Sequence, residues 1–161
     1  METQTVHAEN AASLKTAAMP VPAKWLGATG AIPFVATAIF AAFGPENWSG
    51  WAAQALAYYG AVILSFLGGI HWGLAIANNG AERISPARLC WSVVPSLIAW
   101  AALLLPLFTG LVVLTAAFGL ALFVDTRANT RALVPPWFPD LRTALSIAVI
   151  ASLPLGLIGA A

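Results

Sequence analysis

The chain has 161 residues, of which 60% are hydrophobic and 8% charged, and a mean hydropathy of +0.85; seven basic and six acidic side chains cannot coat a water-soluble domain of this size. A net charge of +1 with scattered Lys and Arg excludes a nucleic-acid-binding role, and the single cysteine, Cys90, excludes an intrachain disulfide and a thiolate metal cage. What remains is a small polytopic membrane protein.

Residues 1–22 are polar and Ala-rich, with Glu2, Glu9 and Lys15 interrupting any apolar run, and read as a disordered cytoplasmic tail in which His7 is simply solvated. They match neither a secretory signal nor an Arg-rich transit peptide, which points to a bacterial inner membrane. Residues 23–161 form the predicted transmembrane domain. Span one covers about 25–43, close to the length a ~30 Å hydrocarbon core requires. The GPENWSG segment with Trp51 reads as an interfacial turn, so span two starts near Gln54 and covers about 54–77. Between Leu89 and Val124 there is no charge, and PLFTG at 106–110 supplies a Pro and a Gly for a helical hairpin with arms at about 88–105 and 111–130. After the polar segment DTRANTRALVPPWFPDLR, a fifth span covers about 143–160.

Five spans with the N-terminus cytoplasmic and the C-terminus periplasmic put Lys15, Lys24, Arg83, Arg88, Arg127, Arg131 and Arg142 all on the inner side. Four or six spans would spoil that segregation. The interfacial aromatics fit as well: Trp25, Trp91 and Trp137 fall near the inner interface, Trp48 and Trp51 near the outer one. The expected fold is therefore an all-α membrane protein, a bundle of five transmembrane helices.

Span two carries a small residue at every fourth place: Ala57, Ala61, Ser65, Gly69, Gly73 and Ala77. Such a ladder, with Gly68 beside it, reads first as a surface for close helix packing, and second as room for a flat ligand. His71 lies about 200° round from Gly69 on a face with Leu64, Leu67 and Gly68, roughly six residues inside the inner helix end. An imidazole at that depth needs a partner, and Asp125 on span four falls at a similar depth. His71, Asp125 and the nearby Arg127 form the candidate polar site, either a clasp between helices or a functional centre. A bis-imidazole haem site lacks its second histidine, a zinc site has only the loose set Cys90, His71 and Asp125, and no phosphate loop or nucleophile elbow occurs. No cofactor or metal is expected. Pro33, Pro95 and Pro154 fall within spans one, three and five and each leaves a carbonyl without its helical donor.

YYGAVILSFLGGIHWG at 58–73 and FVDTRANTRALVPPWFPDLR at 123–142 together resemble the domain of unknown function 3429 family, small polytopic membrane proteins. The resemblance covers the hydrophobic region from about Ala23 to the end. Motif positions carried over are Tyr59, Gly60, Ser65, Phe66, Gly68, Gly69, His71, Trp72 and Gly73, then Asp125, Arg127, Trp137 and Arg142. The family has no established activity, so the resemblance implies an architecture and no reaction.

Two functions compete. The first is a non-enzymatic interaction or assembly factor, in which the small-residue face of Ala61, Ser65, Gly68, Gly69 and Gly73 docks a membrane-protein partner or second copy. The alternative is a binding or transport protein for a small hydrophobic or tetrapyrrole-like ligand, with His71 and Asp125 as polar anchors and Trp72, Trp137 and Arg142 at the interface. The bilayer is the one partner both share.

Overall fold

The computed structural model describes residues 18–77, 86–127 and 134–160. Among these residues every regular element is helical: α1 (Val21–Phe43), α2 (Glu46–Ala77), α3 (Pro86–Leu103), α4 (Leu107–Arg127) and α5 (Trp137–Leu155). All five are long and apolar enough to cross a membrane. Large apolar side chains such as Leu26, Phe43, Val62, Phe66 and Trp100 stand exposed around the bundle, the surface of a protein solvated by lipid.

The helix boundaries follow from proline chemistry. Pro20 and Pro22 open α1, where a missing N–H leaves no bond unmade. Pro45 ends it by holding Gly44 in the extended region, φ −74° and ψ 174°, with the Gly44 N–H closing on the Phe40 carbonyl. The turn is confined to Gly44 and Pro45, so the expected interfacial turn through GPENWSG is corrected: the chain is helical from Glu46, not from about Gln54. At about 1.5 Å per residue, the 32 residues of α2 reach about 48 Å, longer than the hydrocarbon core. The α3–α4 turn is Leu104–Leu105–Pro106, tighter than the expected loop through residue 110. Gly110 lies against the Ala102 carbonyl, where a side chain would not fit. Helix α5 begins at Trp137 rather than near Thr143, and is followed by turns from Gly156 to Ala160. The expected tail lies outside the described residues up to 17, while Val21 and Pro22 already belong to α1. The last residues of expected span four, 128–130, also lie outside.

Helix α2 is the centre of the bundle and packs on all the others. Its buried positions, including Ala53, Ala57, Gly60, Leu64, Leu67, Gly68, His71 and Ala75, are three or four apart, the spacing of one helical face. The four-residue ladder cannot stay on that face, because each step of four advances about 40° too far. Ala57 and Ala61 are buried, Ser65 is half-buried, and Gly69 and Gly73 are exposed. This corrects the packing expectation within the chain. Among the described residues, nothing outside the local helix backbone lies within 4 Å of a Cβ built at Gly69 or Gly73, whereas one built at Gly68 would run into the Ser92 carbonyl of α3.

An aromatic cluster ties the middle of the bundle. Phe34 of α1 lies 4.8 Å from Tyr59 of α2 and 6.0 Å, at 90°, from Phe118 of α4. The Tyr59 hydroxyl donates to the Gly30 carbonyl at 2.9 Å, one residue beyond the carbonyl that Pro33 deprives of its donor.

Gly68→Ala is expected to destabilise the protein by about 1–3 kcal/mol through overpacking, while Gly69→Leu leaves stability unchanged. Thermal melting of the two variants in detergent checks the difference, and equal losses would contradict the packing at Gly68.

Candidate functional site

The antiparallel path brings the C-terminal ends of α2 and α4 and the N-terminal ends of α1, α3 and α5 to one end of the bundle. Lys24, Arg88, Arg127 and Arg142 all lie toward that end. There His71 of α2, Asp125 of α4 and Arg142 of α5 meet. The His71 Nε2–H donates to Asp125 Oδ1 at 2.7 Å. Arg142 donates from Nε at 2.9 Å and from Nη2 at 2.6 Å, both to Asp125 Oδ2. The three side chains are 8%, 16% and 11% exposed, so each carboxylate oxygen is matched where water is scarce.

Depth along the spans predicts His71 beside Asp125 but does not predict Arg142. A fifth span starting at Thr143 leaves Arg142 in a loop, whereas it sits in the second turn of α5, aimed across to α4. Arg127, expected in the polar site, is corrected: it is exposed, with its guanidinium 4.9 Å from the centre of the Phe123 ring one turn back. Trp72 is exposed, and Trp137 is half-buried beside Phe138 with ring centroids 6.0 Å apart. Cys90 is exposed, and among the described residues no three of His, Cys, Asp and Glu gather as metal ligands.

Two spaces adjoin the cluster. A chamber of about 50 Å³ touches His71, Asp125, Thr126, Arg142 and Thr143, room for a water or two among several polar partners. A larger cleft of about 310 Å³ lies between α1 and α2, with α5 and Phe118 behind it. Its lining is almost wholly apolar: Gly27, Gly30 and Phe34 on α1, Ile63 and Leu67 on α2, Leu145 on α5. Leu26 and Phe66, at 73% and 66% exposure, form its lips, so it opens sideways toward lipid. Arg142, Leu67, Ile70 and Phe138 line both spaces, and Arg142 is the charged wall between them.

Removing Asp125 strands both an imidazole and a guanidinium, so Asp125→Ala is expected to destabilise most, by about 3–5 kcal/mol. His71→Ala should lose less, since Arg142 still neutralises the carboxylate. The Asp125→Ala/Arg142→Ala double variant should lose clearly less than the sum of its parts, and strict additivity in detergent unfolding would show that the contact is not made.

No solved structure matches the chain. Among curated proteins it is similar to transmembrane protein 69 of Xenopus tropicalis, 37% identical over 140 residues that cover 83% of this chain and 53% of that protein. It is also similar to transmembrane protein 69 of Mus musculus, 29% identical over 139 residues, 86% of this chain and 56% of that one. The chain thus spans about half the length of these curated relatives. The family model described as "Protein of unknown function (DUF3429)" matches residues 19–158, which takes in all five helices and the His71, Asp125 and Arg142 cluster, and the chain belongs to that family.

Proposed function

We propose that the chain is a non-enzymatic binding protein of a bacterial inner membrane, which holds a small hydrophobic molecule in the cleft between α1 and α2 with the polar cluster at one side. The observation that carries this reading is the cleft itself: about 310 Å³, apolar, open to lipid and walled on one side by Arg142. That volume lies at the lower end of the range of small-molecule sites, and apolar walls with few fixed polar groups are their usual composition. A small molecule suits it better than a tetrapyrrole. His71 does not line the cleft, and its Nε2 is engaged by Asp125, so it is not offered as an axial ligand.

The interaction reading keeps one supporting observation. Gly69 and Gly73 are exposed with open space above them, a surface on which a second copy or another membrane protein packs closely. Orientation is part of the same proposal: the N-terminus faces the cytoplasm because Lys24, Arg88, Arg127 and Arg142 share one end of the bundle. An active alkaline phosphatase fused after Ala161, with a dark fluorescent protein at the same site, is the expected pair of results, and the reverse pair inverts the orientation.

A cleft-filling variant tests the binding reading. Among the described residues, nothing outside the local helix backbone lies within 4 Å of a Cβ at Gly30, which lines the cleft, so Gly30→Phe places its ring in the space without clashing with a neighbouring helix. The variant is expected to fold as the parent does and to lose at least about tenfold of any molecule that mass spectrometry finds bound in stoichiometric amount. A parent protein that carries no such molecule, and instead purifies with a stoichiometric protein partner, would favour the interaction reading.

A further inference from the structure

We infer that the molecule held in the cleft has an uncharged head that presents hydrogen-bond-accepting oxygens, read by Ser146 and Arg142 on α5. The inference rests on the binding reading above and goes on to the chemistry of the ligand.

Serines and threonines in this bundle ordinarily satisfy themselves. Thr37, Ser65, Thr115, Thr143 and Ser152 each donate to the carbonyl four residues earlier. Ser146 does not. It is 2% exposed, its Oγ has no hydrogen-bond partner among the described residues, and it belongs to the wall of the cleft. A buried hydroxyl without a partner is a standing penalty that an acceptor on a ligand removes. One turn away, about 6 Å along the helix, is Arg142. Its Nε and Nη2 donate to Asp125, while Nη1 makes no hydrogen bond within the described residues. The α5 wall of the cleft therefore carries two donors without partners among the described residues, a hydroxyl and a guanidinium N–H, and the rest of the lining is apolar carbon.

Charge selects against an anionic head. The guanidinium is already matched by the Asp125 carboxylate 2.6 Å away, so a phosphate brought to Arg142 would also meet a carboxylate it repels. An uncharged acceptor meets no such opposition. In a bilayer that chemistry comes from two sources, the ring of a prenylated quinone and the ester head of a diacylglycerol, each on an apolar tail.

The test titrates purified, delipidated protein by calorimetry with four probes: a decyl-substituted benzoquinone, dioctanoylglycerol, dioctanoyl phosphatidic acid, and decylbenzene as a tail without acceptors. The anionic probe is included because Lys24 stands exposed beside Ala23 at the edge of the cleft. At least one neutral oxygen-bearing probe is expected to bind about tenfold or more tighter than decylbenzene, and the tighter of the two identifies the source. Phosphatidic acid is expected to bind no better than decylbenzene. Ser146→Ala is expected to weaken the favoured probe about five- to tenfold, the worth of one hydrogen bond, without weakening decylbenzene, and the ligand-free protein, relieved of an unpaired buried hydroxyl, is expected to melt no lower than the parent. Ser146→Cys, which keeps a weak donor, should fall between the two. Decylbenzene matching the oxygen-bearing probes would overturn this inference and leave the binding reading standing. So would phosphatidic acid binding tightest, or Ser146→Ala binding as before. Binding of none of the four, with no lipid carried through purification, would overturn both.

Discussion

A carboxylate placed at hydrocarbon depth must be matched or it destabilises the fold by several kcal/mol, and Asp125 is matched on both oxygens by two different helices. That one side chain consequently holds the ends of α2, α4 and α5 together. Helix α1 has no part in the clamp. It is held further along, where Phe34 meets Tyr59 and Phe118 and the Tyr59 hydroxyl reaches Gly30, and it rests on α5 where Gly27 faces Leu141 and Leu145. With α2 drawn toward α4 at the polar end and α1 drawn toward α5, the two helices part on that half of the bundle. The cleft is the space between these two attachments.

The number of helices is legible in the sequence because long apolar runs separated by charge are hard to place anywhere but across a bilayer. Their ends are less legible. Glu46 looks like a boundary because it is charged and followed by Trp, Ser and Gly, yet a helix longer than the bilayer carries such residues in its first turns without ending. Pro139, Asp140 and Arg142 mislead in the same way at the start of α5, where a proline in the first turn interrupts no bond.

The site is legible in part, for a related reason. Depth along a helix is set by counting residues, so the sequence alone places His71 and Asp125 at one level. Arg142 escapes that count, because its level depends on where α5 begins. The ladder on α2 misleads in azimuth instead: a repeat of four reads as one stripe, but the 40° drift per step carries Gly69 and Gly73 to the outside of the bundle while Gly68 takes the contact with Ser92. Ser146 carries no sequence signal, since helical serines normally bond back along their own helix and its failure to do so is visible only in three dimensions.

The cleft has no signal of its own either, because a cavity is volume that side chains leave out. Its cause can nonetheless be read from α1, where Ala23, Gly27, Gly30, Ala31 and Phe34 fall on one face and four of the five are the smallest residues available. Leucines at those places would close the gap against Ile63 and Leu67. Open toward lipid as it is, the space calls for an apolar occupant. A lipid tail meets that requirement as far as carbon is concerned, but it leaves the Ser146 hydroxyl buried and unpaired. On the proposed reading, an occupant with an oxygen at that level satisfies both conditions at once, which joins the small residues of α1 and the unpaired hydroxyl of α5 in one account of the cleft.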